Sequence, residues 1–421
     1  MTPEVKERIE QLRHGIVPEG YQKTILGIAP LSWKTGRINE ICTLSSGSTP
    51  RRDNADNFVG EILWVTSGEL KKRIIIDTLE KISEAAASTS NMAMYEPGAV
   101  VIAIYGLEAA GIRGTASIIG KRCTISQACM AFTEFSKVDN TFFYYWYLNN
   151  GQVIGLRYAQ GTKQQNLSTD IVGAFPICFP NLKEQRKIAE ILTTQDRVIE
   201  LKEKLLAEKQ RQKKYLMQQL LTGKKRLPGF ADEWKTDKLG NLFAERVETK
   251  YEHMELLAIT GTQGVIPRSW LDLKDNSSDD KSKYLHICIG DIGYNTMRMW
   301  QGVSAYSNYE GIVSPAYTIL KPKEDICAKY FSYLFKLPEV VFLFYRFSQG
   351  LVDDTRNLKY ENLKRIKVKF PIDKREQEAI SKVLETADKE IDLLQRDLEL
   401  EKQKKKTLMQ LLLTGIVRVK P

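Results

Sequence analysis

Two long stretches of the chain place apolar residues along one helical face. The first, Glu184–Thr222, contains neither proline nor glycine, and the second, Glu376–Gly415, holds an unbroken heptad pattern from Ile380 to Leu398. Both run up to a glycine, which favours helix termination. About 39 residues rising ~1.5 Å each predict two helices of roughly 55–60 Å. The positions on these faces are Ile188, Leu192, Gln195, Ile199, Leu206, Leu216 and Leu220 in the first, and Ile380, Leu384, Ala387, Ile391, Leu394 and Leu398 in the second.

These two stretches are copies of one another. "LMQQLLTG" at Leu216–Gly223 recurs as "LMQLLLTG" at Leu408–Gly415, 192 positions later. At that offset the copies share roughly 18 identities in 40 positions, and so long a period indicates two large units rather than a solenoid. The blocks upstream differ, apart from short anchors such as "WKT". This alternation favours one scaffold that holds two readers of different things.

A rod with a narrow apolar seam requires a partner helix. The other copy is the obvious partner, and an antiparallel pair would put the two variable blocks at opposite ends. The alternative is that each helix packs on its own domain, but the length of the heptad pattern favours the paired spacer. Both rods become strongly polar midway, at "EKQRQKK" and "LEKQKKK". These runs indicate a solvated face or a contact with a protein or a phosphate backbone.

The variable blocks are predicted to be mixed α+β domains. Short β-rich runs such as "GAVVIAIYG" and "HICIGDIGYNTM" precede helical patterns such as "NTFFYYWYLNNGQVIGLR". The predicted fold class is therefore α+β, with two globular domains separated by two long helices in an antiparallel coiled coil of pseudo-two-fold symmetry. The predicted segments are an N-terminal helical segment packing near the C-terminal helix (1–25), the first globular domain (26–178), the first spacer helix (179–223), a turn-rich linker (224–233), the second globular domain (234–369), and the second spacer helix with its tail (370–421).

Composition and charge narrow the class of protein. The 421 residues are 43% hydrophobic and 27% charged, which is typical of globular protein, and no apolar run is long enough to cross a membrane. The formal net charge of +10 favours a polyanionic partner. The cysteines are scattered without a C-x-x-C pair, so we expect reduced cysteines in cores, no metal site, and a cytoplasmic location.

No catalytic motif stands out in the sequence. The glycines of "YGLEAAGIRG" fit neither G-x-G-x-x-G nor a Walker A loop, and the three histidines form no H-E-x-x-H pattern. "DEWK" resembles a piece of a nuclease motif but lies at the linker without an upstream partner. No Asn-Pro-Pro-aromatic stretch appears, so a base methyltransferase site is missing. These observations favour recognition over catalysis, with no catalytic residue and no cofactor in this chain.

Loops in both blocks are rich in residue types that read bases and hold phosphates. Arginine and lysine suit guanine edges and phosphates, and glutamine and asparagine suit adenine. Surface loops with ordinary polar residues are the alternative for any single loop, whereas several such loops in a basic chain favour nucleic acid. The candidate DNA-binding residues are Arg51, Arg52, Arg113, Lys121, Gln127, Lys163, Gln164 and Gln165 in the first half, and Gln263, Arg268, Arg298 and Gln301 in the second.

Taken together, the motifs resemble the specificity subunit of a type I restriction-modification enzyme. In the first block the resemblance rests on "SGSTPRRDN…GEILWVTSGEL" and "AIYGLEAAGIRGTASIIGKRCTISQACMAF", and in the second on "GDIGYNTMRMWQG" and "YEGIVSPAY". The helix entries "PNLKEQ" and "PIDKREQ" and the "LMQ-x-LLTG" exits complete it. The resemblance implies that 26–178 and 234–369 are target recognition domains, each reading one half of a bipartite double-stranded DNA site, with the helices setting the spacing.

The same resemblance implies a non-catalytic subunit of a larger complex. Two methyltransferase subunits that bind S-adenosylmethionine would dock on the helices. Motor-nuclease subunits that use ATP and Mg²⁺ would join through the complex.

Three readings remain open from the sequence, of which the first is the non-catalytic specificity subunit. A combined restriction-methylation enzyme would carry a motif that is not found. A protein-only coiled-coil adaptor would not need two basic, loop-rich blocks. A specificity subunit of a methylation-only defence system is a variant of the first reading. The base sequence, the spacer length and the number of partners are not readable from the chain.

Overall fold

The computed structural model describes residues 2–24, 26–106, 111–158, 166–261, 263–271 and 280–419. The chain divides into two compact units: unit 1 is Met1–Leu201 with Asp397–Pro421, and unit 2 is Lys202–Arg396. Each unit therefore contains one variable block and a part of each long helix.

Unit 1 is a mixed α+β body. Its helices are α1 (Pro3–Arg13), α2 (Glu84–Thr89), α3 (Asn140–Tyr158), α4 (Thr169–Gly173) and the first part of α5 (Leu182–Leu220), joined by the end of the final helix. Its strands are β1 (Tyr21–Thr24), β2 (Gly27–Pro30), β3 (Lys34–Arg37), β4 (Thr43–Ser46), β5 (Ile62–Val65), β6 (Ile74–Ile75), β7 (Lys81–Ile82), β8 (Val100–Ala103), β9 (Ala116–Ile119), β10 (Cys123–Ile125), β11 (Cys129–Thr133) and β12 (Pro176–Phe179).

Unit 2 repeats this plan with ten strands in place of twelve. Its helices are the second part of α5, then α6 (Leu239–Leu242), α7 (Ala328–Leu334), α8 (Pro338–Phe347), α9 (Tyr360–Leu363) and the first part of α10 (Lys374–Leu413). Its strands are β13 (Trp234–Lys238), β14 (Phe243–Arg246), β15 (Leu257–Ile259), β16 (Val265–Pro267), β17 (Leu285–Ile287), β18 (Ile292–Asn295), β19 (Ser304–Tyr306), β20 (Gly311–Val313), β21 (Tyr317–Pro322) and β22 (Lys367–Pro371).

The main sheets of the two units share one strand order over four strands, and unit 1 adds β6 as a fifth. In unit 1 the order is β4-β11-β8-β9-β6, and in unit 2 it is β14-β21-β18-β19. A separate antiparallel pair, β12 with β3 and β13 with β22, joins the segment before each long helix to the start of its block. The two variable blocks thus share an arrangement of strands, although their sequences differ.

The repeated helix ends are buried in the cores. In unit 1, Leu412 and Leu413 of α10 lie in the cluster that contains Ile188 and Leu192 of α5. In unit 2 the corresponding end of α5 joins the start of α10: Leu220, Leu221, Ile380 and Leu384 share one cluster. The recurrence of "LMQ-x-LLTG" follows, because each copy fills the same gap beside the start of the other helix.

The two long helices pair antiparallel. In unit 2, the Lys209 ammonium lies 2.6 Å from Glu390 Oε1, and Lys213 pairs with Asp388. In unit 1, Gln195 Nε2 donates to Glu401 Oε2 at 2.7 Å and to the Glu401 carbonyl at 3.2 Å. These bonds explain why a polar residue occupies a seam position. The predicted α+β fold class with two long antiparallel helices is confirmed.

A cluster of one tyrosine, one aspartate and one lysine also occurs once in each unit. In unit 1, Tyr145 Oη donates to Asp196 Oδ2 at 2.6 Å, and the Lys405 ammonium lies 2.6 Å from Asp196 Oδ1. Burial, the charge of Asp196 and the hydrogen bond to it raise the pKa of the Tyr145 phenol, so the hydroxyl remains a donor. The corresponding residues of unit 2 are Tyr333, Asp388 and Lys213.

Each long helix also begins with a buried glutamate bound by an arginine. The side chain of Glu184 is 2% exposed and accepts from Arg418 at 2.6 and 2.7 Å. Glu376 is 1% exposed and accepts from Arg226 at 2.6 and 2.7 Å. Bidentate pairing compensates for taking each carboxylate out of water.

The described residues include no helix that is both long and apolar enough to cross a bilayer. The six cysteines are free thiols; Cys42, Cys123, Cys129 and Cys178 are buried, whereas Cys288 and Cys327 are partly exposed.

Candidate nucleic-acid interface

One loop occupies the same position in both units. It connects β8 to β9 in unit 1 and β18 to β19 in unit 2, two neighbouring strands of the main sheet. In each unit one backbone hydrogen bond ties the start of this loop to the segment that follows the block's helices. Leu167 N donates to the Ile104 carbonyl at 2.9 Å, and Leu358 N donates to the Thr296 carbonyl at 2.8 Å.

A glycine closes this loop in both units. Gly114 has φ +75° and Gly302 has φ +78°, a conformation that disfavours other residues. A methyl group on Gly114 would lie 2.9 Å from the Gln152 nitrogen of α3, and one on Gly302 would lie 2.9 Å from Val341 Cγ2 of α8. The glycine therefore lets the loop press against the helix behind it.

Three of the candidate residues lie in these equivalent loops. Arg113 lies one residue before Gly114, and its side chain crosses α3 so closely that a methyl group on Gly155 would meet Arg113 Cγ at 2.8 Å. Arg298 and Gln301 lie in the loop of unit 2 and are exposed. No carboxylate pairs with the Arg298 guanidinium among the residues that the structure describes.

Gln263 joins the loop of unit 2 from a neighbouring hairpin. It lies at the exposed tip of the β15–β16 hairpin, where its backbone N–H donates to Thr260 Oγ1 at 2.8 Å. A methyl group on Gly261 in the same tip would be 3.9 Å from Val303 of the β18–β19 loop. The hairpin tip that carries Gln263 therefore lies beside the end of the loop that carries Arg298 and Gln301. Arg268 is at the other end of β16, where its backbone N–H bonds the Leu256 carbonyl.

In unit 1, Gln127 lies between the segment of Arg51 and the β8–β9 loop. Its backbone N–H lies 3.4 Å from Thr49 Oγ1. The carbonyl of the next residue, Ala128, accepts from Ile104 at the start of the loop. Lys121 is exposed beyond the far end of β9 and is not part of this group. Lys163, Gln164 and Gln165 lie outside the described residues.

Arg52 is held by its own domain. Its guanidinium donates to both carboxylate oxygens of Glu80 at 2.5 and 2.9 Å. It also lies 4.5 Å from the Phe58 ring centre and 4.9 Å from that of Trp64. The hydrogen bond from Arg52 lowers the pKa of Glu80. Within the part of the chain that the structure describes, Arg51 has no such clamp: its side chain is exposed, and its carbonyl accepts from Asn57 Nδ2 at 2.9 Å.

An aromatic group beside the loop of unit 2 escaped the sequence reasoning. Arg356 lies 4.1 Å above the Tyr345 ring and donates to the Tyr345 hydroxyl at 3.0 Å. The Trp300 ring is 6.2 Å from that of Tyr345. Arg356 lies in "SQGLVDDTRNL", which corresponds to "AQGTKQQNLS" of the first half. Lys163, Gln164 and Gln165 were chosen as candidates from this segment of the first half. The same choice in the second half would have identified Arg356.

A partly buried lysine supports the same loop. Lys336 Nζ donates to the carbonyls of Gly302 at 2.7 Å and Ser304 at 2.6 Å. Burial lowers the pKa of the Lys336 ammonium to about 8, and the nearby charge of Lys213 acts in the same direction. The loop conformation thus depends on hydrogen bonds from an ammonium group to two carbonyl oxygens.

Comparison with known proteins matches this chain to a family. A family model described as "Type I restriction modification DNA specificity domain" matches residues 30–210 and 232–402. The type I restriction enzyme MjaIX specificity subunit of Methanocaldococcus jannaschii is 24% identical over 188 residues, which are 44% of this chain. The matched stretch spans 42% of the length of that relative.

Solved structures share the fold over nearly the whole chain. A type I restriction-modification S subunit from M. genitalium aligns with a TM-score of 0.57 at 15% identity, covering 90% of this chain and 96% of that chain. A chain from a structure on complex assembly and conformational transition of the type I R-M system aligns with a TM-score of 0.55 at 18% identity, covering 92% of this chain and 99% of that chain. At these identities the likeness shows the fold alone.

Each variable block, with the start of the helix that follows it, carries one copy of the matched domain, and the two copies cover well over half of the sequence. The chain therefore belongs to the family of type I restriction-modification DNA specificity subunits.

Proposed function

We propose that the two units read the two halves of a bipartite double-stranded DNA site. This proposal rests on two equivalent loops that carry different side chains. The same strands, closing glycine and backbone hydrogen bond surround Arg113 in unit 1 and Arg298 with Gln301 in unit 2. A shared frame presents both loops alike to the duplex, and differing side chains give each half its own sequence.

Direct base reading fits the exposed groups on these surfaces. An arginine guanidinium matches the guanine N7 and O6 acceptors, and a glutamine amide matches adenine N6 and N7. Arg298, Gln263 and Gln301 are exposed in unit 2, and Arg51 and Gln127 are exposed in unit 1. We assign Arg52 to positioning, because Glu80 and two rings already occupy its guanidinium.

The long helices are proposed to set the half-site spacing and to dock two methyltransferase subunits. Leu201 of α5 and Leu393 of α10 occupy equivalent repeat positions and are 55% and 65% exposed. An exposed leucine at the same place in each copy offers two equal apolar contacts, one for each partner. Methyl transfer, with S-adenosylmethionine, and cleavage, with ATP and Mg²⁺, are assigned to partner subunits. The chain itself contributes recognition only.

The methylome of the host tests this function directly. Adenine modification would be mapped by sequencing in the presence and in the absence of this gene. We expect a single bipartite motif to lose its methylation on deletion, and that motif would give both half-sites and the spacer length. An unchanged methylome would contradict the proposal and favour a protein-only adaptor. Loss of methylation without any loss of restriction of foreign DNA would indicate a methylation-only system.

A further inference from the structure

Three metal-binding side chains meet at one end of the β17–β20 ladder of unit 2. His286 lies in β17, and Cys288 follows that strand directly, two residues along the chain. The antiparallel register pairs Ile287 with Gly311, which puts Cys288 opposite Glu310. The donor atoms of His286, Cys288 and Glu310 all lie within 4.8 Å of one another.

Their spacing suits a tetrahedral ion. His286 Nε2 lies 3.7 Å from Cys288 Sγ and 3.0 Å from Glu310 Oε1. With Zn–S near 2.3 Å and Zn–N near 2.0–2.1 Å, two ligands at a tetrahedral angle lie about 3.5 Å apart. Binding an ion therefore requires only small side-chain shifts.

The histidine is oriented from behind. Glu248 Oε2 lies 3.2 Å from His286 Nδ1, and Tyr251 stacks on the imidazole with ring centres 4.1 Å apart and a 17° interplanar angle. A carboxylate on the outer ring nitrogen fixes the tautomer and turns the other nitrogen toward a metal. Both ring nitrogens face carboxylates, and neutral imidazole donates from only one, so the contact of Nε2 with Glu310 calls for a proton or a metal ion.

The segment that carries Cys288 is anchored by the ion pair between Arg246 and Asp291. Cys288 N donates to Asp291 Oδ2 at 2.9 Å, and Arg246 Nε donates to the same carboxylate at 2.8 Å. Cys288 is partly exposed and the Glu310 side chain is 49% exposed, so an ion can enter from solvent. The ligands are thus held in place on a site that opens to water.

We propose that His286 Nε2, Cys288 Sγ and a Glu310 carboxylate oxygen bind one Zn²⁺ ion, with water as the fourth ligand. Thiolate, imidazole and carboxylate are the donor set that zinc takes in proteins. The ion fastens β17 to β20, and β20 in turn bonds Glu255 beside the β15–β16 hairpin through Ile312 N at 2.9 Å. This proposal departs from the sequence-based expectation of no metal site, and it does not depend on the proposed function.

Cobalt substitution tests the site on the full-length chain, purified without a histidine tag and stripped with a chelator. Co²⁺ should bind at one ion per chain and give the near-ultraviolet charge-transfer band of a cobalt thiolate. Cys288→Ser should abolish the band, whereas Cys327→Ser, at the other partly exposed cysteine, should leave it unchanged. A band that survives Cys288→Ser, or no band in the wild type, would overturn the proposal.

Zinc affinity gives a second readout that does not depend on the thiol. Competition with a chromophoric chelator should show Zn²⁺ binding at least ~10-fold weaker in Glu310→Gln and in Glu248→Gln than in the wild type, as expected for ligand and orienting partners. Both glutamates are half-exposed, so these variants should fold. Equal affinity in the wild type and in Glu310→Gln would remove Glu310 from the site and contradict the proposed ligand set.

Discussion

Arg52 and Arg298 are both exposed arginines in loops, and the sequence nominated both for DNA. In the structure Arg52 is clamped by Glu80 and two aromatic rings, whereas Arg298 has no carboxylate partner among the described residues. A guanidinium without a competing carboxylate loses little when it bonds a base. The two residues therefore differ in what a substitution should change.

Arg298→Ala should relax recognition at one base position and cost about 1–3 kcal/mol of binding to the cognate site. The measurement is the affinity of the reconstituted complex for a set of single-base variants of the half-site. Arg375→Ala removes another exposed positive charge, at the start of α10, and serves as the control. Equal losses on all sequences in Arg298→Ala would make Arg298 a phosphate contact instead.

Lys336→Met should remove a pH dependence of stability. Because burial lowers the folded-state pKa from 10.5 to about 8, the folded chain holds fewer protons at this site than the unfolded chain between these values. The free energy of unfolding of the wild type should therefore rise with pH across that window, by on the order of 3 kcal/mol at full effect.

Denaturant unfolding from about pH 8 to pH 10 would measure this rise in the wild type and in Lys336→Met. The variant also loses the donor to two carbonyls and should be less stable throughout, so the informative quantity is the slope. Parallel pH profiles for the two proteins would show that Lys336 keeps its ordinary pKa in the fold.

At the scale of elements, polar contacts at corresponding positions hold the start of each long helix. Gln185 and Gln377, both fully buried, bond the carbonyls of Pro180 and Pro371 just before the helices. The Glu184–Arg418 and Glu376–Arg226 pairs stand one residue away. Heptad leucines give a helix an apolar seam, but these bonds determine where along the block the helix begins.

Glu376→Gln should therefore destabilise unit 2 by about 3 kcal/mol, since it leaves the Arg226 guanidinium without its buried carboxylate. Glu378→Gln, two residues along on the exposed face of the same helix, should change stability by less than about 0.5 kcal/mol. Thermal unfolding of both variants provides the comparison. Similar melting temperatures in the two variants would mean that the buried pair contributes nothing beyond a surface charge.

At the scale of the whole molecule, the repeat supplies two copies of every surface that a partner needs. The equivalent exposed leucines, Leu201 and Leu393, lie on different units but at the same point of the repeat. A complex with two methyltransferase subunits would use both. A single-partner complex would use one.

Leu201→Glu and Leu393→Glu should each lower the number of methyltransferase subunits bound from two to one, because a buried charge opposes docking. Leu79→Glu alters a leucine that is 93% exposed elsewhere in unit 1 and should have no effect. The mass of the reconstituted complex in solution measures the stoichiometry. Two bound subunits in both helix variants would place the docking contact on another surface.

The candidate site was predictable in part. The sequence reasoning put Arg113, Arg298 and Gln301 in loops, and the structure shows that these loops are equivalent. Lys121 and Arg268 lie at the opposite ends of their strands. The sequence did not distinguish them from the other candidates, because polar turns at the two ends of a sheet have the same composition. The DNA-binding roles of all these residues stay predictions, and Lys163, Gln164 and Gln165 lie outside the described residues.

The sequence by itself determined the two long helices and the repeat, because heptad spacing and glycine termination are local signals that persist over many turns; it favoured their antiparallel pairing without fixing it. Only the tertiary structure decided which side chains meet across strands: Arg52 with Glu80, Lys336 with Gly302, and His286 with Cys288 and Glu310. Each of these meetings joins residues more than 20 positions apart in sequence. They depend on strand register and loop packing, which no local pattern of apolar and polar residues specifies.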